Sequence, residues 1–126
     1  MAHKILCVDD SPTIILSLRQ PLEEAGFEVI SASNGQEGIE LLNKHWDVSL
    51  IYLDVNMPVM DGFEFLKKIR ANKTTSGIRV VMVTTEGSKD SILKAKDLGI
   101  SGWLIKPAVG DSILQVAEKF LGKQSA

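Results

Sequence analysis

The stretch VSLIYLDVNMPVMDG, Val48 to Gly62, decides how the chain is read. VSLIYL is nearly continuous in apolar residues and too short for a buried helix, so it reads as a strand covered on both faces. It stops at a carboxylate, Asp54. Asn56, Met57 and Pro58 then break the pattern, and Asp61-Gly62 opens a new element. A core strand that ends in an acid needs a reason.

Four similar runs lie outside this stretch: KILCV (4–8), FEVISA (27–32), RVVMVT (79–84) and GWLIK (102–106). Helical patterns with end signals alternate with them. Ser11-Pro12 supplies an N-cap and a proline at the first helical position, and Gly26 follows the far end. Asn34 with Glu37, and Asp61 with Glu64, have capping-box spacing. Ser88 caps the fourth helix and Gly99 closes it; Asp111 opens the fifth. Ile14, Ile15, Leu18 and Leu22 share one face of the first helix. Ile113, Leu114, Ala117 and Leu121 share one face of the last.

The order is β-α five times over, which predicts an α/β fold. It is a single doubly wound domain with a five-stranded parallel sheet, right-handed crossovers and helices on both faces. A closed eight-fold barrel needs about twice this length. Sequence alone leaves the strand order open. The five-strand order of the flavodoxin-like class is 2-1-3-4-5.

Composition sets limits. The chain has 126 residues, 44% hydrophobic, enough for one core. A net charge of −2 gives no general basic field for nucleic acid. No apolar run approaches a membrane span, and the apolar run in MAHKILCVDD is too short for a signal peptide. The single cysteine, Cys7, excludes an internal disulfide and reads as a buried apolar residue; with no export signal the expected location is cytoplasmic. His3 and His45 read as surface or capping residues, and Met57 and Met60 as loop packing.

In a doubly wound sheet the site lies at the carboxyl ends of the strands. The polar residues that interrupt the apolar runs fall there: Asp9-Asp10 after strand 1, Asp54 after strand 3, Thr84-Thr85 at strand 4, Lys106-Pro107 at strand 5. Three carboxylates in one cleft repel one another. A hard divalent cation such as Mg2+ removes that conflict and works with phosphate. One carboxylate left free can accept a phosphoryl group as a covalent nucleophile. A lysine and a hydroxyl, here Lys106 and Thr84, complete such a set.

VDDS (8–11), LDVNMPVMDG (53–62), VMVTTEG (81–87) and SGWLIKPA (101–108) together resemble the response-regulator receiver domain, most closely the stand-alone chemotaxis (CheY-like) type. The resemblance spans the whole chain, 1–126, with no attached effector. It implies a two-component signalling module that is phosphorylated on Asp54 by a histidine kinase or a histidine phosphotransfer protein. Such a module catalyses only its own phosphoryl transfer and self-dephosphorylation. The resemblance also implies that Asp10 and Asp54 bind Mg2+ directly, that Asp9 acts through water, and that the backbone carbonyl of Asn56 completes the protein ligands. Lys106 would contact the phosphoryl group. Thr84 would hydrogen-bond it and couple to the aromatic switch position, held here by Trp103. Pro107 would follow a cis peptide bond, and Gly62 matches the family glycine before the third helix. The resemblance further implies that Asn56 and Glu86 stand at positions that tune dephosphorylation in the family, in a combination similar to that of short-lived regulators.

The chain departs from the family pattern at Trp103 (usually Tyr or Phe), at Thr85 (usually small) and at Ala108 (often aromatic). These changes bear on output more than on phosphorylation. The expected output surface is the face of helix 4, strand 5 and helix 5, with Ile92, Lys96, Trp103, Val116 and Phe120. The protein is expected to be a monomer. A relay intermediate, a phosphate sink and a phosphate-independent pseudo-receiver are the alternative roles. An aspartyl phosphatase is disfavoured because Asn56 stands where a second aspartate is required. A flavin or nucleotide binder is disfavoured because DDSPT offers acids and proline where backbone amides are needed.

Overall fold

The structure is a computed structural model that describes residues 3–108 and 110–123. Ten elements alternate: β1 (Lys4–Val8), α1 (Pro12–Glu24), β2 (Glu28–Ala32), α2 (Gly35–Lys44), β3 (Val48–Leu53), α3 (Gly62–Ala71), β4 (Arg79–Thr84), α4 (Lys89–Asp97), β5 (Gly102–Ile105) and α5 (Gly110–Leu121). The strands pair in parallel in the order β2-β1-β3-β4-β5, the order of the flavodoxin-like class.

The near-continuous apolar runs have a simple cause. Side chains alternate between the two faces of a strand, and here both faces are covered. Ile5 and Cys7 on β1, Tyr52 on β3, and Val81 and Val83 on β4 pack with Leu18 and Leu22 of α1 and Ile113 and Ala117 of α5. Leu6 and Val8, Ile51 and Leu53, and Val80 and Met82 point the other way. They pack with Leu42 of α2, Phe65, Leu66 and Ile69 of α3, and Ala95 of α4. Burial pushes the Cys7 thiol up to about 12, so the sulfur is an inert packing group.

The end signals act as expected. Ser11, Asn34, Asp61 and Ser88 each accept a hydrogen bond from an N–H three residues on. Two strand boundaries are shorter than the apolar runs. Phe27 gives its N–H to Leu22 O and closes α1, so β2 begins at Glu28. Lys106 still donates to Thr84 O, but Pro107 has no N–H, so β5 ends at Ile105. Helix α5 begins at Gly110, one residue before the expected opener Asp111.

Two residues fix how the loops meet the sheet. A Cβ on Gly62 would lie 2.3 Å from the carbonyl oxygen of Asp54, so only glycine lets α3 start this close to the end of β3. At the other end, the Arg70 guanidinium donates to the carbonyls of Leu98, Ser76, Ile78 and Gly99 at 2.8–3.1 Å. It clasps α3 to the loops that flank β4 and β5. Gly62→Ala is expected to cost about 2–4 kcal/mol in urea unfolding. Arg70→Met is expected to cost about 2–3 kcal/mol, because it removes four charge-assisted bonds, two of them to part-buried carbonyls.

Candidate functional site

The connection from β1 leaves toward β2 on one side, and the connection from β3 leaves toward β4 on the other. A crevice therefore opens at the carboxyl ends of these two central strands. The backbone ladder runs on into the acids: Asp54 N–H donates to Val8 O at 3.0 Å and Asp9 N–H to Ala32 O at 3.1 Å. The sheet itself thus sets the positions of both residues.

Asp9, Asp10 and Asp54 each offer a carboxylate oxygen within 4.8 Å of the other two. Asp9 and Asp54 are buried, and Asp10 is exposed. Lys106, from the far edge of the sheet, puts its Nζ 2.7 Å from Asp9 Oδ2 and 3.3 Å from Asp54 Oδ2. The other Asp9 oxygen accepts the Ser11 N–H at 2.9 Å. Both Asp9 oxygens are thus occupied by protein donors.

The two ends of this ion pair respond differently. Burial pushes the Asp9 carboxyl up, and Asp54 adds to that; the bonds from Lys106 and Ser11 offset only part of it. Burial alone would lower Lys106, but the bond to Asp9 and the charges of both acids outweigh it, so Lys106 is raised. A raised lysine stabilises the fold fully below its unfolded value and loses that contribution as pH rises through the folded value. A raised carboxyl also favours the fold most when protonated, so ionised Asp9 costs stability at neutral pH. The cluster is therefore strained by charge. Its donor set is all oxygen, its net charge is negative and its ligand atoms are close together, which fits a hard divalent cation.

Thr84 is fully buried at the end of β4, and its hydroxyl accepts the Glu86 N–H at 3.2 Å. Trp103 lies on the edge strand, pairs with Met82 and packs toward α4. Its indole N–H donates to the Glu86 carbonyl at 3.0 Å. The peptide of Glu86 thus joins Thr84 to Trp103. The side chain of Glu86 turns to the start of α4, where it accepts the Ser88 N–H at 3.1 Å. Asn56 is exposed in the β3–α3 loop, and Thr85 is exposed beside Thr84. The peptide bond between Lys106 and Pro107 is cis, and Ala108 packs toward α1 and α5.

The structure therefore brings together Asp9, Asp10, Asp54 and Lys106, with Thr84 and Trp103 linked beside them. No hydrogen bond joins Asn56 or the Glu86 carboxylate to the acids among the described residues. Sequence reasoning missed the Lys106–Asp9 bond and the indole bond to Glu86. The first joins residues 97 apart along the chain. The second depends on a loop conformation that no local pattern encodes.

The family model for the response regulator receiver domain matches residues 5–118. A chemotaxis protein CheY homolog from Campylobacter jejuni is 37% identical over 123 residues, which cover 97% of this chain and 95% of the relative. The structure of the chemotaxis protein CheY4 of Vibrio cholerae superimposes with a TM-score of 0.90 at 36% identity, over 96% of this chain and all of that one. CheY in a CheX–CheY–BeF3–Mg2+ complex from Borrelia burgdorferi gives 0.87 at 28% identity, over 94% of this chain and 90% of the other. No helix among the described residues is long and apolar enough to cross a membrane. The acids gathered at the switch point, the lysine that spans them and this extent of similarity lead to one conclusion: the chain belongs to the response regulator receiver family, the phosphorylation-activated modules of two-component signalling, and is of the chemotaxis type.

Proposed function

We propose that Asp54 is the phosphoacceptor of this receiver, with Lys106 and Thr84 as its catalytic partners. The observation that carries the reading is the placement of Lys106 within reach of both buried acids, 2.7 Å from Asp9 and 3.3 Å from Asp54. An oxygen of the Asp54 carboxylate attacks the phosphorus of a phosphohistidine on a histidine kinase or histidine phosphotransfer protein. The new P–O bond forms as the P–N bond breaks, and its electron pair leaves with the imidazole. Lys106 meets the negative charge that moves onto the phosphoryl oxygens. Thr84 spends its acceptor lone pair on the Glu86 N–H, which leaves its own proton to donate to one of those oxygens.

A bound Mg2+ would neutralise the crowded acids and stabilise the phosphoryl oxygens. Asp10 and Asp54 would be its direct carboxylate ligands. Asp9, with both oxygens held by Lys106 and Ser11, would act on it through water. The carbonyl of Asn56 would be the remaining protein ligand.

Self-dephosphorylation ends the signal when water attacks the same phosphorus: the P–O bond to Asp54 breaks, its electron pair returns to the carboxylate, and inorganic phosphate leaves with the proton of the attacking water. Asn56 and Glu86 tune that step; Glu86 must first release the Ser88 N–H. Thr84 and Trp103 form the switch. The indole bond to Glu86 makes this switch stiffer than one built on phenylalanine, which has no donor to tie. Output passes to a partner protein at the face of α4, β5 and α5, where Ile92, Lys96, Trp103, Val116 and Phe120 lie. The module acts as a cytoplasmic monomer without nucleic acid.

Intact mass after incubation with acetyl phosphate and Mg2+ should rise by one phosphoryl group, which is then lost within minutes to hours. The gain should vanish in Asp54→Asn and without Mg2+. A gain that persists in Asp54→Asn would refute the assignment. Mg2+ at about 100 times its Kd should also stabilise the protein by about 2.7 kcal/mol, read as a rise in Tm. Asp10→Asn should abolish most of that rise while leaving the metal-free protein at least as stable, because it relieves one of the crowded charges.

A further inference from the structure

The opposite end of the sheet, where the strands begin, carries a surface that the phosphorylation chemistry does not use. Trp46, in the turn between α2 and β3, is 86% exposed. A single exposed apolar side chain is ordinary. Trp46, however, forms one wall of a recess of about 270 Å³, whose other walls include Leu42, Thr75 and Ile78. A second recess of about 440 Å³ shares Ile78 and is lined by Arg70, Arg79, Asp97 and Ser101. The loop between α3 and β4 is the ridge between the two. Trp46 and Arg79 stand on either side of it.

The charges at this end are uneven. Asp47 is engaged by Lys4 at 3.1 Å. The bonded partners of Arg70 are carbonyls. Arg79 lies over the Phe120 ring at 4.9 Å and has no carboxylate within ion-pair distance among the described residues. Asp97 is the one acid among the residues that line the larger recess, which also include Arg70 and Arg79. Lys44 and Lys73 add exposed positive charge beside Trp46 and on the ridge loop. The other end gathers Asp9, Asp10, Asp54, Asp61 and Glu64. Acids at helix starts and bases at helix ends complement the helix dipoles, which explains part of this polarity. It does not explain an exposed indole on the wall of the smaller recess.

We propose that this face docks an acidic segment of a partner protein. An apolar side chain of that segment seats beside Trp46, and its carboxylates meet Arg79, Lys44 and Lys73. The charge complementarity favours an acidic partner, which the opposite end of the molecule repels. Tryptophan and arginine are the side chains that most often anchor protein interfaces. Side-chain-sized recesses, the larger with Asp97 in its wall, suit a peptide better than the even spacing of a phosphate backbone. The docking does not rest on phosphorylation of Asp54 and operates in both states.

The test is an amide chemical-shift titration of the full chain with a short blocked peptide of glutamate interrupted by leucine. Its Gln-for-Glu counterpart and single-stranded RNA serve as comparisons. Shifts should cluster at residues 42–47 and 70–79 and spare the loops that carry Asp54 and Lys106. Trp46→Ala and Arg79→Glu should each weaken binding by roughly tenfold or more. Trp46→Ala should still accept phosphate from acetyl phosphate, which separates loss of docking from loss of fold. Equal binding of the Gln peptide, tighter binding of the RNA, shifts centred elsewhere or no shifts at all would each overturn the proposal.

Discussion

Three carboxylates crowded at one end of a sheet constrain almost everything else in this molecule. Asp9, Asp10 and Asp54 each offer a carboxylate oxygen within 4.8 Å of the other two, and Lys106 is the cation that holds Asp9 and Asp54. Such an arrangement is unfavourable by itself and persists only because the surrounding structure over-determines it. Backbone bonds from the ladder fix Asp9 and Asp54, and the cores on both faces fix the ladder. The acids are thus held ready for a cation and a phosphoryl group by packing that gains nothing from them.

Much of this was legible in the sequence because the signals are local. Period-two burial on both faces makes the strands read as apolar runs, and the polar residue that ends each run marks the carboxyl edge. Capping residues Ser11, Asn34, Asp61 and Ser88 announce helix starts because their chemistry is satisfied within three residues. Gly62 was visible as a punctuation mark, but its reason was not: the glycine yields to the Asp54 carbonyl, a contact set by tertiary approach. Val59 shows the same limit. It holds φ +70°, a conformation unusual for a β-branched residue, and nothing in MPVMDG predicts it.

The linkage around Glu86 is the part of the site furthest from a sequence reading. Residue type identifies Thr84 and Trp103 as candidates, yet the peptide that joins them belongs to a residue noted for its side chain. Its N–H goes to Thr84 and its carbonyl to the indole. Its carboxylate is turned away, and the bond to Ser88 N–H holds that carboxyl below its ordinary value. Backbone roles of this kind are invisible to any argument from side-chain chemistry.

Lys106 also imposes an order of events in time. It reaches Asp9 from the opposite edge of the sheet, across 97 residues of chain. During synthesis the acids of β1 and β3 leave the ribosome well before the lysine that neutralises them. Until β5 docks on β4, the emerging chain carries a cluster of repelling charges with no internal cation. The last strand to be made is therefore the one that renders the first one comfortable, and competence for signalling arrives only with completion of the sheet.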